Sequence, residues 1–197
     1  MGFSQLNSMK RLAVYCGSSM GTDPAFRVAA QALGEAMAGR GIGLVYGGGR
    51  LGLMGVVADA VLGAGGEAYG VIPQALIDLE VAHAGLTELH VVADMHQRKA
   101  KMTDLTDAFV ALPGGIGTYD ELFEAWTWNA LGYHAKPFAL LNVSGFWNEM
   151  TRFLDHATAS GFMSAARRGQ LLVAESSGEA LDMLENAAGA TERKMVW

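Results

Sequence analysis

Apolar runs recur along the chain at Leu12–Cys16, Ile42–Tyr46, Ala68–Ile72, Leu89–Ala93, Ala108–Leu112 and Phe138–Asn142, with a weaker run at Leu171–Ala174. Each is continuous rather than alternating, which predicts strands buried on both faces of a parallel sheet. Between the first two, Phe26, Ala30, Leu33 and Met37 recur at helical spacing behind Asp23-Pro24. Asp23 suits a cap and Pro24 suits a first turn; Gly39 and Gly41 stop the helix. Residues 51–64, 94–106, 118–132, 145–160 and 177–188 carry similar patterns. Strand and helix therefore alternate with short links. This predicts an α/β fold: a doubly wound, mostly parallel sheet with helices on both faces, a Rossmann-like three-layer sandwich. Residues 1–197 read as a single domain, with about 1–9 and 189–197 expected as flexible tails.

Sheets of this kind bind ligands beyond the carboxyl ends of their strands. Four turns fall there: Cys16-Gly17-Ser18-Ser19, Gly47-Gly48-Gly49, Val71-Ile72-Pro73 and Pro113-Gly114-Gly115-Ile116-Gly117-Thr118. The last empties a strand into a helix, so backbone N–H groups and the positive end of a helix dipole converge on one point. No lysine follows its glycines as in a Walker A loop, so the Thr118 hydroxyl and the N–H groups favour a monophosphate. A purely structural alternative exists: Thr118-x-x-Glu121 also spells a capping box. Gly47-Gly48-Gly49-Arg50-Leu51-Gly52 satisfies G-x-G-x-x-G, but it follows the second strand. Glu67, the acid 20 residues on, would open the next strand rather than end it, which disfavours a dinucleotide cofactor. Gly17, Ser18, Gly47, Gly48 and Gly49 are expected to line a pocket, with a tight helix–strand turn as the alternative for the glycines.

Composition narrows the function. The 197 residues are 51% hydrophobic and 17% charged, which excludes disorder. A net charge of −6 gives no broad footprint for nucleic acid, so any anion site must be local. The single cysteine, Cys16, rules out an internal disulfide and a cysteine-rich zinc site. No run approaches a membrane span and the first residues lack signal-peptide anatomy, so the expected location is the cytoplasm.

The exception to the acidic balance is Arg98, Lys99 and Lys101, in a helix whose expected cap is Asp94. Cations in a first turn oppose the helix dipole at a cost of about 0.3–1 kcal/mol each. A solvated face is the ordinary reading of such a cluster, but a pocket that holds phosphate explains it better. Glu121 and Glu124, three apart, share a helix face. The five histidines show no metal-ligand spacing, and no metal or cofactor is expected. Trp126 and Trp128 suit a core or a subunit interface rather than base stacking.

Together these motifs resemble the LONELY GUY family, the cytokinin riboside 5′-monophosphate phosphoribohydrolases, which have often been labelled lysine decarboxylases. The resemblance rests on Gly47–Gly55, on Met95-His96-Gln97-Arg98-Lys99 and on Pro113–Glu121. Cys16–Ser19, Val71–Pro73 and the stretch from Thr127-Trp128 to Lys136-Pro137 support it. It covers about residues 11–175 and implies hydrolysis of the N-glycosidic bond of a nucleoside 5′-monophosphate, cytokinin riboside monophosphate or AMP. By this resemblance Arg98 and Glu121 are the catalytic pair. Glu80, Lys99, Gly114, Gly115, Gly117, Thr118 and Thr127 contact substrate, with Met95 and Glu124 lining the pocket. A homodimer is also implied, and the helices bearing Trp126, Trp128 and Trp147 are candidates for its interface. Tyr119-Asp120 departs from the family's usual Leu-Glu, which bears on base preference. The alternatives are a nucleotide or cofactor carrier of the same fold and, less well supported, an NAD(P)-dependent oxidoreductase. The decarboxylase label has no chemical support: nothing near Lys99 or Lys101 forms the set a pyridoxal phosphate Schiff base requires.

Overall fold

In the computed structural model, residues 9–77 and 82–194 are described. Among them seven strands form one sheet: β1 (Arg11–Tyr15), β2 (Gly43–Tyr46), β3 (Ala68–Pro73), β4 (Glu88–Val92), β5 (Ala108–Ala111), β6 (Phe138–Leu141) and β7 (Leu171–Ala174). All pairings between these strands are parallel, in the order β4-β3-β2-β1-β5-β6-β7. The helices are α1 (Pro24–Gly39), α2 (Gly52–Gly63), α3 (Met95–Leu105), α4 (Ile116–Ala130), α5 (Asn148–Ala159), α6 (Ala165–Arg168) and α7 (Ser177–Lys194).

The strand period sorts the core into two layers. From β1, Leu12, Val14 and Cys16 face one way and pack with Leu33, Met37, Val57, Val61, Leu181 and Leu184 of α1, α2 and α7. Ala13 and Tyr15 face the other way and pack with Met102, Leu122, Trp126 and Leu154 of α3, α4 and α5. Each fully buried large apolar side chain contributes about 1.5–3 kcal/mol, so both layers are strongly held. The three-layer sandwich expected from the apolar runs is the one observed.

Capping explains where the helices begin. The Asp23 carboxylate accepts from Ala25 N at 2.8 Å with Pro24 behind it. Asp94 accepts from Gln97 N at 2.8 Å, and Gln97 Oε1 accepts in return from Ala93 N at 3.1 Å. Four expectations need correction. Thr118 is not a cap: Gly115 is, and α4 begins at Ile116. β4 is an edge strand that exposes Glu88 and Val91, so its apolar run is not buried on both faces. Trp126 and Trp147 are core residues, 4% and 1% exposed. The helix expected over 145–160 starts at Asn148, after a 3-10 turn at Val143–Gly145. At the chain's end α7 continues to Lys194, into the segment expected as a tail.

β1 lies between β2 and β5, so the chain works outward in one direction and then returns to the other side of β1. The turns after β1 and β5 consequently face each other across a crevice, the usual ligand position in open α/β sheets. Gly17 N donates to Pro113 O at 3.1 Å, and Leu53 N at the start of α2 donates to Gly17 O at 3.0 Å.

Candidate active site

The loop after β5 is shaped by close approach. A Cβ on Gly114 would overlap Thr118 Oγ1 and lie 2.9 Å from Gly17 N, so the two turns at the crevice meet without side chains between them. Thr118, 3% exposed, is packed beneath the loop. Gly115 caps α4 with its backbone alone: its carbonyl accepts from Tyr119 N at 3.1 Å, and no side chain caps the helix. The N–H groups of Ile116, Gly117 and Thr118 therefore belong to the first helical turn, which has no carbonyl partner within the helix. A Cβ on Gly115 or Gly117 would meet no protein atom within 4 Å. The fold does not demand glycine there; a ligand lying against the backbone would.

Arg98 reaches the same place from α3. It is 4% exposed, its Nη2 donates to Gly47 O at 3.2 Å, and its Nη1 lies 3.8 Å from Met95 Sδ. The same Nη2 is 3.9 Å from Glu121 Oε1, with 11% of the Glu121 side chain exposed. A guanidinium and a carboxylate thus face each other in a nearly closed setting, one turn inside the helix that the glycine loop opens. One residue further along α3, Lys99 Nζ is 3.0 Å from Asp120 Oδ2 and in contact with Glu124 Oε2. Burial alone would push the Lys99 ammonium down. The two carboxylates outweigh it and hold its pKa above the ordinary lysine value. His96 Nδ1 lies 3.9 Å from Glu124 Oε1 at the solvent side.

Tyr15 is a member of this cluster that sequence reasoning missed. Its phenol is raised well above the ordinary value by burial and by the nearby Glu121 and Glu124 carboxylates, against a lowering by Arg98. The only sequence signal was its place, next to Cys16-Gly17 at the end of the central strand and on the face opposite Cys16. Burial, with Glu121 adding to it, likewise pushes the Cys16 thiol up, so it is no nucleophile.

The expected residues divide accordingly. Arg98 meets Gly47, Met95 and Glu121, Lys99 meets Glu124, and Gly17, Gly114 and Thr118 pack together, with Gly115 and Gly117 on the same loop as Gly114. Gly48 and Gly49 are buried in the turn after β2, where Gly48 O accepts from His83 N at 3.0 Å and Gly49 bridges Ala82. Ser18 is exposed beside Gly17. Thr127 is exposed one turn beyond Glu124, and its hydroxyl donates to Phe123 O at 2.7 Å. Glu80 lies outside the described residues. Grooves of about 480 Å³ between α1 and α2 and about 520 Å³ beside the start of α7 contain none of these side chains.

Fold and site define a doubly wound α/β protein with a glycine loop at the start of α4 and a buried guanidinium–carboxylate pair. Residues 54–184 match the family model described as possible lysine decarboxylase. Cytokinin riboside 5′-monophosphate phosphoribohydrolase LOG3 of Arabidopsis thaliana is 44% identical over 98% of this chain and 91% of its own. The cytokinin riboside 5′-monophosphate phosphoribohydrolase of Rhodococcoides fascians is 47% identical over 83% of each chain. The chain belongs to this family, LONELY GUY. Among solved structures, the molybdenum cofactor carrier protein of Chlamydomonas reinhardtii superposes with a TM-score of 0.70. That match covers 92% of this chain and 98% of that one at 23% identity, a likeness of fold.

Proposed function

We propose that this protein hydrolyses the N-glycosidic bond of nucleoside 5′-monophosphates, AMP and cytokinin riboside 5′-monophosphates among them, to free base and D-ribose 5-phosphate. The observation that carries this reading is the Arg98–Glu121 pair one helical turn from open backbone N–H groups. The monophosphate sits on the first turn of α4 against Gly115 and Gly117, where the dipole and the N–H groups favour a dianion. That anchor sets the ribose over Glu121. The carboxylate orients water toward C1′ and takes its proton as the C–O bond forms, while it stabilises positive charge on the sugar ring. The C1′–N bond breaks with its electron pair going to the base, which takes a proton from solvent water, and Glu121 returns its own proton to solvent. Arg98 remains charged throughout and offsets the negative charge that develops on the base.

The decarboxylase description finds no support in the residues. A Schiff-base lysine needs a lowered pKa: Lys99 is shifted the other way by Asp120 and Glu124, and Lys136, which burial does lower, precedes β6 at the far end of the sheet and donates to Thr103 O. A cofactor carrier of the same fold needs the glycine loop but not a carboxylate held at the sugar. The protein is further proposed to act as a cytoplasmic homodimer. The exposed apolar side chains Leu131, Tyr133, Phe153 and Phe162 offer area for self-association.

The test is incubation with AMP and with isopentenyladenosine monophosphate, followed by chromatography for free base. Release of base is expected, reduced about 10²–10⁴-fold by Glu121→Gln and also lost in Arg98→Ala. Retained binding with no base from either substrate would establish a carrier instead.

A further inference from the structure

Arg98 and Glu121 sit on helices that follow strands well apart in the sheet. α3 follows β4 at the sheet's edge and α4 follows β5, with β3, β2 and β1 in between. Both helices pack on β1, α3 lying also on β4, β3 and β2 and α4 on β5, and the two touch each other directly. Strand hydrogen bonds fix neither the lateral spacing of the two helices nor their rotation. A carboxylate poised for water activation tolerates little error in either, since misplacement by about 1 Å can cost about a hundredfold in rate.

One cross-link bears directly on that spacing. Lys99, the residue after Arg98, inserts its ammonium between Asp120 and Glu124, which flank Glu121 on α4. Only 13% of the Lys99 side chain and 18% of Glu124 are exposed, so the contact is screened far less than a surface pair. Lys99 contacts Asp120 and Glu124, while Glu121 faces Arg98. Remove Glu124, and the Lys99 ammonium is free to swing toward Glu121 and draw it out of line.

We propose that Glu124 is a positioning residue for hydrolysis: by seating Lys99 it braces α3 against α4 and keeps the Arg98–Glu121 pair in register. This rests on the catalytic role proposed for that pair. On this assignment Lys99 acts through α4, whether or not it also touches substrate.

The experiment compares Glu124→Gln, Lys99→Met and the double variant, with AMP as substrate. Glu124→Gln keeps the shape of the side chain and is expected to lower kcat about tenfold with KM for AMP changed by less than about twofold. The double variant is expected to be no slower than Lys99→Met alone, because both changes open the same contact. Losses that multiply, or a Glu124→Gln kcat equal to wild type, overturn the proposal. Amide hydrogen exchange provides a readout independent of turnover. The first turn of α3, residues 95–99, is expected to exchange faster in Glu124→Gln, and unchanged exchange also overturns the brace. Absence of base release from the wild-type protein would sink the hydrolase reading, while faster exchange in the variant would still support the brace.

Discussion

Arg98 Nη2 occupies the space in which a Cβ of Gly47 would lie, and from there it donates to the Gly47 carbonyl at 3.2 Å. The turn after β2 and the guanidinium from α3 are fitted to each other. This accounts for the first glycine of the G-x-G-x-x-G match without a dinucleotide: the close approach it permits is to Arg98.

Gly47→Ala therefore acts on catalysis through Arg98. A methyl group there evicts the guanidinium, and the rate of base release from AMP should fall about a hundredfold or more. Denaturant unfolding should show a loss of stability within the usual range for single substitutions, about 0.5–3 kcal/mol. A Gly47→Ala protein with wild-type turnover would mean that Arg98 has no catalytic task.

Gly115→Ala and Gly117→Ala address the opposite situation. Their added methyl groups enter open space in the protein, so the midpoint of thermal unfolding should scarcely move. The same methyl groups stand where phosphate is proposed to lie. KM for AMP should rise and protection by inorganic phosphate against unfolding should weaken. Unaltered phosphate binding in both variants would remove the anion site from this loop.

Tyr15 remains a neutral phenol throughout the working pH range, because burial and the carboxylates Glu121 and Glu124 oppose its ionisation more than Arg98 assists it. Tyr15→Phe preserves the stacking on Phe109 at 5.8 Å between ring centroids. Ultraviolet titration of the two proteins should give the same number of phenolates up to about pH 10, the ordinary tyrosine pKa. An ionisation lost in the variant within that range would show that Tyr15 is accessible to base.

At the other end of the sheet, His134 lies tilted against the rings of Phe109 and Phe138 with its pKa below the ordinary 6.5, through burial and then the Lys136 charge, against a backbone hydrogen bond at Ala125. The unfolded chain therefore binds the proton more readily than the folded one. Stability is fully present above pH 6.5 and declines as the pH falls through that value. Urea unfolding from pH 7.5 to 5 should show this decline, about as wide as one histidine titration. His134→Phe should flatten it; a slope identical in both proteins would assign it to other groups.

The strands were legible because burial on both faces leaves continuous apolar runs, as in Val110-Ala111-Leu112. β4 misled for the same reason: His90-Val91-Val92 reads like its neighbours, but nothing local marks an edge. Helix starts were legible where a side chain makes the cap, as at Asp23 and Asp94. They were not where the cap is backbone alone: Gly115 gives no donor or acceptor to read, so the next hydroxyl, Thr118, drew the assignment. α6 is a single turn and too short for any period. Of the site, Arg98 and Glu121 were singled out from their motifs, but not the contact between them. Arg98 is buried against Gly47 after β2, which lies 51 residues away in the chain. Tyr15 and the seating of Lys99 were invisible for a related reason: they depend on how two helices lie side by side, and no periodicity records that.

The position of β1 at the centre of the sheet has a consequence for the proposed catalytic pair. β1 to β4 pair in sequence order to form one half of the sheet, and the helix of Arg98 follows them. Pro113 reaches Gly17 only because β5 pairs with the other side of β1. The carboxylate partner of Arg98 lies on the helix that follows β5. The proposed chemistry therefore draws on both halves of the sheet: the guanidinium comes from one side of β1 and the carboxylate from the other.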